Sequence, residues 1–287
     1  MRAAAFLALV LLCAAAACQG PQQDPKLGAC MDDDAAPALA LEACTRYLAT
    51  PGLSADQRAA ALAQRASLHQ GLNDNAAALQ DYNAAIEANP NDAPTLARRA
   101  GLYQTMADFP HALADVTAAI RLQPQGYYYY YYRAQLYDEG LHDYVHAIAD
   151  MNTAVDLSGA NANMLNARCW IRGKAGRALD LALADCERSL QVRPNNANVL
   201  DSRALVHLRL GHFQNAYDDF SAALKGDASL YHSRYGLGVA ALRLGRKDEG
   251  RADIAIALKG EADLADIYHD YGEDPDQVSP AAPSPGR

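Results

Sequence analysis

The sequence has few of the large apolar residues that build most sheet cores. Its 287 residues include only four Phe and one Trp. Runs of Val, Ile and Thr, which are enriched in strands, are absent. Alanine dominates the 51% apolar fraction, and alanine is the best helix former. The composition therefore predicts closely packed helices, and it excludes a chain that is disordered throughout.

Positive charge is also scarce, because 34 acidic residues outnumber 25 basic ones and the net charge is −9. Such a field repels phosphate backbones. No dense Lys/Arg patch is interleaved with aromatic residues. We therefore expect no nucleic-acid partner.

Familiar catalytic and cofactor motifs are missing too: HExxH, CxxCH, GxSxG and a phosphate-binding glycine loop do not occur. His142 and His146 have the i, i+4 spacing of two metal ligands on one helix. They straddle a predicted turn, so we expect surface histidines. The sequence predicts no enzyme, no cofactor and no metal site.

Long apolar runs are limited to residues 3–17, which follow Met1 and Arg2. This stretch is short for a membrane span and is typical of a signal peptide over residues 1–18. Residues 15–18, Ala-Ala-Ala-Cys, resemble a bacterial lipoprotein box in which Cys18 is lipidated, although Ala15 stands where Leu is usual. Ordinary cleavage after one of the alanines is the alternative. Both predict an exported protein, in the periplasm or lipid-anchored to the envelope membrane.

The six cysteines fit export. Removal of the signal eliminates Cys13, and a leftover Cys18 is most easily explained as a lipid anchor. The other four form two sequence-local pairs, Cys30 with Cys44 and Cys169 with Cys186. Paired cysteines persist in oxidising compartments.

A repeat of 34 or 35 residues is the strongest signal in the chain. An arginine opens each period, and an aspartate follows it 16 or 17 residues later. Each period predicts two helices, for example with a break at residues 71–75 and a second helix over 76–88 that Pro90 follows. The arginine–aspartate pairs are Arg65/Asp81, Arg99/Asp115, Arg133/Asp150, Arg168/Asp185 and Arg203/Asp219.

Small, aromatic and apolar residues recur at fixed places within these periods. One set is Ala100, Tyr103, Ala112, Val116, Ala119 and Pro124, and another is Ala204, His207, Ala216, Phe220 and Ala223. This pattern resembles the tetratricopeptide repeat family over roughly residues 35–260. The resemblance implies an all-α, right-handed superhelical solenoid of antiparallel helix hairpins.

The expected organisation follows from the period and its ends. A signal peptide (1–18) and a linker (19–29) precede a degenerate repeat (30–58). An array of about six units (59–260), a C-terminal capping helix (261–272) and a disordered tail (273–287) follow. Units three and four carry a one-residue insertion each, near residues 140–145 and 175–181.

Alignment with the positions of the tetratricopeptide repeat implies a structural role for the recurring residues. Each arginine and each aspartate flanks a slot where the two helices of a hairpin face each other, so we expect a ladder of Arg–Asp pairs. Cys169 and Cys186 occupy facing slots, and Cys30 and Cys44 correspond to them in the opening unit. We therefore expect disulfides Cys30–Cys44 and Cys169–Cys186.

Six consecutive tyrosines, residues 127–132, open the first helix of the third unit. In this family the first helices line a concave groove that binds peptides, and tyrosine is a common interface anchor. The family's Lys/Arg/Asn clamp for a C-terminal carboxylate is not reproduced. The predicted partner-binding residues are Tyr128, Tyr131, Tyr132, Gln135, Asp138, Asn166, Trp170, Asp201 and Arg209.

The sequence thus predicts a non-enzymatic scaffold of the bacterial cell envelope that binds a peptide or protein segment in its groove. The alternative is a structural subunit of an envelope complex that uses its convex surface or its ends. Membrane association would arise only through the N-terminal lipid.

Overall fold

The computed structural model describes residues 25–32 and 35–275, and these residues form α-helices and no β-strand. The predicted signal peptide, Cys18 and residues 276–287 of the predicted tail lie outside the described residues. None of the described helices is both long and apolar enough to cross a bilayer.

The chain forms two compact units, which meet in sequence at Leu136 and Tyr137. Among the described residues, seven helices belong to the N-terminal unit: α1 (Pro25–Cys30), α2 (Pro37–Leu48), α3 (Ala55–Gly71), α4 (Asn75–Ala88), α5 (Ala93–Thr105), α6 (Phe109–Leu122) and α7 (Tyr127–Gln135). Eight helices belong to the described part of the C-terminal unit, which ends at residue 275: α8 (Tyr144–Leu157), α9 (Ala162–Ala175), α10 (Leu179–Val192), α11 (Ala197–Arg209), α12 (Phe213–Gly226), α13 (Tyr231–Arg243), α14 (Lys247–Gly260) and α15 (Leu264–Asp270).

Consecutive helices pack as antiparallel hairpins, α3 with α4, α5 with α6, α9 with α10, α11 with α12 and α13 with α14. Facing alanines let the two helices approach closely. Ala100 and Ala112 meet in one hairpin and Ala204 and Ala216 in another, all fully buried. The all-helical hairpin fold predicted from the repeat is confirmed.

The turns inside the hairpins also recur. Asp74 and Asp108 accept hydrogen bonds from the backbone N–H groups of Ala77 and His111, which caps the second helix of each hairpin. The residue before each cap, Asn73 or Ala107, adopts positive φ. A short polar cap after a left-handed residue therefore reverses the chain within about four residues.

The third and fourth repeats, which are each one residue longer, accommodate the extra residue in different ways. A π-helical turn, Leu136–Gly140, follows α7 and accommodates the insertion that the sequence placed near residues 140–145. After α9 the extra residue enters the turn instead, where Gly176 and Ala178 both have positive φ.

Bidentate ion pairs join the helices of four hairpins, as the ladder predicts. In the second hairpin Arg99 Nε and Nη2 donate to the two Asp115 carboxylate oxygens at 2.7 Å each. The other three pairs have N–O distances of 2.6–2.8 Å. They are Arg65–Asp81, Arg168–Asp185 and Arg203–Asp219. The remaining predicted pair, Arg133 and Asp150, is divided between the two units.

A third contact of these arginines was not predicted. Arg99 Nη1 donates to Asn83 Oδ1 of the preceding hairpin at 2.8 Å, and Arg133 Nη1 donates to Thr117 Oγ1 at 3.2 Å. Arg168 likewise contacts Asn152 at 3.1 Å. Arg99 and Arg168 thus each tie the two helices of their own hairpin to the helix before it, and Arg133 ties α7 to α6. Asn83, Thr117 and Asn152 recur with the same period, a signal that could have revealed them.

Both cysteine pairs lie at disulfide distance. The sulfur atoms of Cys30 and Cys44 are 2.06 Å apart, which links α1 to α2, and those of Cys169 and Cys186 are 2.02 Å apart, which links α9 to α10. All four are fully buried. Disulfides of this kind indicate a non-cytoplasmic environment.

The ends of the array differ from the expected boundaries. Helix α1 begins at Pro25, inside the predicted linker, and ends at Cys30, the first residue of the predicted degenerate repeat. The predicted tail begins at Glu273, yet Glu273 is buried against the C-terminal unit. Ion pairs with Arg209 and Arg243, which are distant in sequence, hold Glu273 in place.

Candidate functional site

The tyrosine helix α7 is anchored by Tyr129, which is fully buried. Burial raises the pKa of its hydroxyl well above the ordinary value. The predicted partner-binding set did not include Tyr129, and the run of tyrosines alone did not place it in the core. Its position in the repeat indicates burial, because Thr95, Met164 and Val199 hold the same position in their own hairpins and are buried as well.

The other predicted residues of α7 are partly exposed on one side of the helix. Tyr132 Oη donates to Gln104 Oε1 of α5 at 3.1 Å, and Gln135 Nε2 donates to Tyr131 Oη at 3.0 Å. Tyr128 packs against Tyr129, with ring centroids 4.1 Å apart. These contacts orient the rings and leave part of each to solvent.

Helix α5 borders these rings with small residues. Ala97 and Gly101 are partly exposed, and a Cβ on Gly101 would lie 3.4 Å from Tyr132 Oη. Arg98 stands beside them and forms no ion pair with any described residue. We call the partly exposed surface of Ala97, Gly101, Tyr128, Tyr131, Tyr132 and Gln135 the tyrosine face.

In the C-terminal unit, Asp138 departs from its predicted role. Its carboxylate is 5% exposed and is paired with the ammonium of Lys174 on α9, which also lies 5.5 Å from the centre of the Trp170 ring. Asp138 therefore holds Lys174 and is not presented to a partner. Asn166 remains partly exposed on α9, as expected.

Trp170 and Asp201 both meet His232, a residue of α13 that the sequence did not single out. The rings of Trp170 and His232 are edge-on with centroids 5.0 Å apart. Asp201 accepts hydrogen bonds from Ser233 Oγ at 2.5 Å and His232 Nδ1 at 3.2 Å. First helices α9, α11 and α13 thus present one continuous side.

Arg209 of α11 and Arg243 of α13 lie on the same side of these first helices. Arg209 Nη1 donates to the Lys174 carbonyl at 3.1 Å, and both arginines approach the Glu273 carboxylate. Burial lowers the pKa of Arg209 and raises that of Glu273 to about 7, an effect that Arg243 and Arg209 oppose. We call the surface of Trp170, Asp201, Arg209, His232 and Arg243 the arginine–tryptophan face.

The two histidines considered as metal ligands do not form a site. His146 Nδ1 lies 2.6 Å from Asp143 Oδ2, and His142 has positive φ in the turn before α8. Within residues 25–32 and 35–275, no group of three or more His, Cys, Asp or Glu side chains could hold a metal ion.

Comparisons with known proteins identify the repeat. Residues 59–92 match the family model described as tetratricopeptide repeat, and those limits enclose α3 and α4 from the fifth residue of α3. No curated protein sequence matches the chain.

Solved structures share the fold at low sequence identity. A tetratricopeptide repeat protein from Parabacteroides merdae ATCC 43184 is 16% identical with a TM-score of 0.64, over 82% of this chain and 92% of that one. PilW, a type IV pilus biogenesis factor, is 16% identical with a TM-score of 0.62, over 74% and 96%. The APC/C hetero-tetramer Cut9–Hcn1 contains a chain that is 12% identical with a TM-score of 0.63, over 84% and 49%.

Proposed function

We propose that this chain, a tetratricopeptide repeat protein in its fold and in the repeat at residues 59–92, is a non-enzymatic scaffold that binds a segment of a partner protein on its first helices. The observation that carries the proposal is the tyrosine face. It combines three partly exposed tyrosine rings with a border of small residues, and Arg98 stands beside it.

The chemistry of the tyrosine face suits an extended or helical segment of another protein. Tyrosine buries a large area at little entropic cost, because it has few rotatable bonds and is already oriented by neighbours. Ala97 and Gly101 leave room for the incoming backbone beside the rings. Arg98 adds one cation that no described residue neutralises.

Cross-linking capture from source-organism membranes tests the proposal. The bait is the full chain, and the test variant combines Tyr128→Ala with Tyr131→Ala. The matched control is Tyr130→Ala on the same helix, whose hydroxyl is bonded to the Pro124 carbonyl away from the face. We expect the double variant to lose a partner that the control retains. Identical partner lists for all three baits would rule out the tyrosine face.

A second candidate function is an assembly subunit that uses the second helices. Val145 on α8 and Leu181 on α10 are each 57% exposed, so both apolar side chains are available to a partner that packs on the second helices. PilW is named as a biogenesis factor, and Cut9–Hcn1 is a hetero-tetramer. This alternative predicts contacts at Val145 and Leu181 and none at the tyrosine face.

We place the scaffold in the bacterial envelope, exported by residues 1–18 and anchored through Cys18. The two disulfides support export, because they persist only where thiols are oxidised. Metabolic labelling with an alkyne fatty acid tests the anchor. We expect label on the wild type and none on Cys18→Ala, whereas an unlabelled wild type would show ordinary cleavage.

A further inference from the structure

The chain's own C-terminal segment covers the arginine–tryptophan face. Helix α15 packs on α13 and α14, with Leu264 and Tyr268 fully buried. Tyr268 Oη donates to the His232 carbonyl at 3.1 Å. A Cβ on Gly236 would lie 2.4 Å from Tyr268 Oη. The Tyr268 ring therefore fits against α13 only because residue 236 is a glycine.

The end of α15 directs the next residues onto the same face. Gly272 has a φ of +75°, and its N–H donates to the His269 carbonyl at 2.8 Å. The Glu273 N–H donates to the Tyr268 carbonyl at 2.8 Å, which completes a Schellman motif. The reversal places Tyr271 and Glu273 against residues of α9, α11 and α13.

An aromatic ring and a carboxylate make these contacts. The Tyr271 ring meets Trp170 edge-on with centroids 6.3 Å apart and lies 6.1 Å from His232. One carboxylate oxygen of Glu273 is 3.8 Å from Arg209 Nε, and the other is 3.7 Å from Arg243 Nη2. Tyr271 and Glu273 are each only 8% exposed.

The fit of the carboxylate is incomplete. Both ion pairs are longer than the 2.7–2.9 Å, approximately, of a charge-assisted hydrogen bond. The buried Nε of Arg243 has no hydrogen-bond partner among the described residues. A peptide that brings its carboxylate closer to these two guanidinium groups would therefore bind the face better than residues 271–273 do.

We propose that the arginine–tryptophan face is a second binding site, for a partner segment with a tyrosine followed two residues later by an acidic residue, and that residues 264–274 are its intramolecular competitor. The partner must displace this segment before it binds. The inference rests on the proposed scaffold function but uses a face in the other unit, so the two can fail separately.

The test uses the full chain and a synthetic peptide of residues 262–275, acetylated and amidated. Two variants should release the resident segment: Glu273→Arg places a cation beside Arg209 and Arg243, and Tyr271→Ala removes the ring without adding charge. The matched control is Asp266→Arg, because Asp266 is exposed on the same helix and has no ionic partner among the described residues. Binding is measured by fluorescence anisotropy of labelled peptide.

Trp170 reports the state of the face directly, because it is the only tryptophan in the chain. We expect its emission to shift to the red in Glu273→Arg and Tyr271→Ala and to stay unchanged in Asp266→Arg. The released variants should bind the peptide at least about tenfold more tightly than wild type and control, since a tethered segment competes at high effective concentration. A peptide with Lys at the position of Glu273 should not bind.

Equal peptide affinity in all four proteins, or no binding to either released variant, would overturn the proposal and leave α15 as a cap alone. That outcome would not contradict the proposed scaffold function, because the test of that function uses Tyr128 and Tyr131. Circular dichroism of each variant shows whether the helices are retained. Should Glu273→Arg lose helix content, Tyr271→Ala decides the result.

Discussion

Two neighbouring arginines of α5 have different roles, and they provide a test of the ladder at the scale of single residues. Arg99 is bonded to both Asp115 oxygens and to Asn83, whereas Arg98 has no ionic partner among the described residues. Asp115 is buried, so the loss of Arg99 leaves a carboxylate without compensation. Such a loss costs far more than the loss of an exposed charge.

We therefore expect Arg99→Ala to lower the free energy of unfolding by about 3 kcal/mol. Arg98→Ala is the matched control, and its effect should stay within about 0.5 kcal/mol. Urea titration followed by circular dichroism measures both. Similar unfolding midpoints for the two variants would contradict a structural role for the repeated arginines.

Glu273 gives a second prediction at this scale, for the dependence of segment docking on pH. Burial raises the pKa of docked Glu273 from the ordinary 4.5 to about 7, so the docked state binds its proton more tightly than the free segment does. Docking is then strongest below about pH 4.5, weakens as the pH rises towards 7, and levels off above it. The charged and titratable groups around this carboxyl are Arg209 of α11, Arg243 of α13 and Tyr268 of α15.

The measurement is Trp170 emission between pH 4.5 and 8 at constant ionic strength. Wild type should shift to the red as the pH rises. Glu273→Gln, which copies the protonated form and retains His232, should lose most of that shift. An identical pH profile for the two proteins would show that Glu273 does not control docking.

Among whole elements, the period predicts most of what the structure shows. Positions fixed by the repeat, such as Ala100, Ala112 and the Arg–Asp pairs, have similar surroundings in the four hairpins that form these ion pairs, so their sequence spacing was sufficient. Asp138 and Glu273 were misjudged because their environments come from Lys174 and from Arg209 and Arg243, which are distant in sequence. No local pattern encodes those contacts.

The disulfide between α9 and α10 gives a prediction at the same scale. Cys169 and Cys186 close a loop with a sequence separation of 17, and closing a loop of that size stabilises by roughly 3 kcal/mol through the unfolded chain. Cys169→Ser with Cys186→Ser should lower the unfolding midpoint monitored by Trp170, which neighbours Cys169. Addition of a reductant to wild type should lower the midpoint at least as far. A variant midpoint equal to that of the oxidised wild type would contradict a stabilising bond.

The molecule as a whole has two candidate binding faces, one in each unit. The tyrosine face was predicted from the run of tyrosines, although the burial of Tyr129 was not. The arginine–tryptophan face was predicted in part, through Trp170, Asp201 and Arg209. The sequence also predicted a capping helix over residues 261–272, but it did not predict that this helix and Glu273 cover the face. First helices carry both faces, and the exposed apolar residues Val145 and Leu181 lie on second helices.

Site-specific photo-cross-linking in living cells tests the central claim, that partners bind the first helices, most directly. p-Benzoylphenylalanine replaces Tyr131 on the tyrosine face in one strain and Leu181 on a second helix in another. We predict a discrete adduct with one partner protein at Tyr131, lost when Tyr128→Ala is added, and none at Leu181. An adduct at Leu181 with none at Tyr131 would contradict the claim and favour assembly through the second helices.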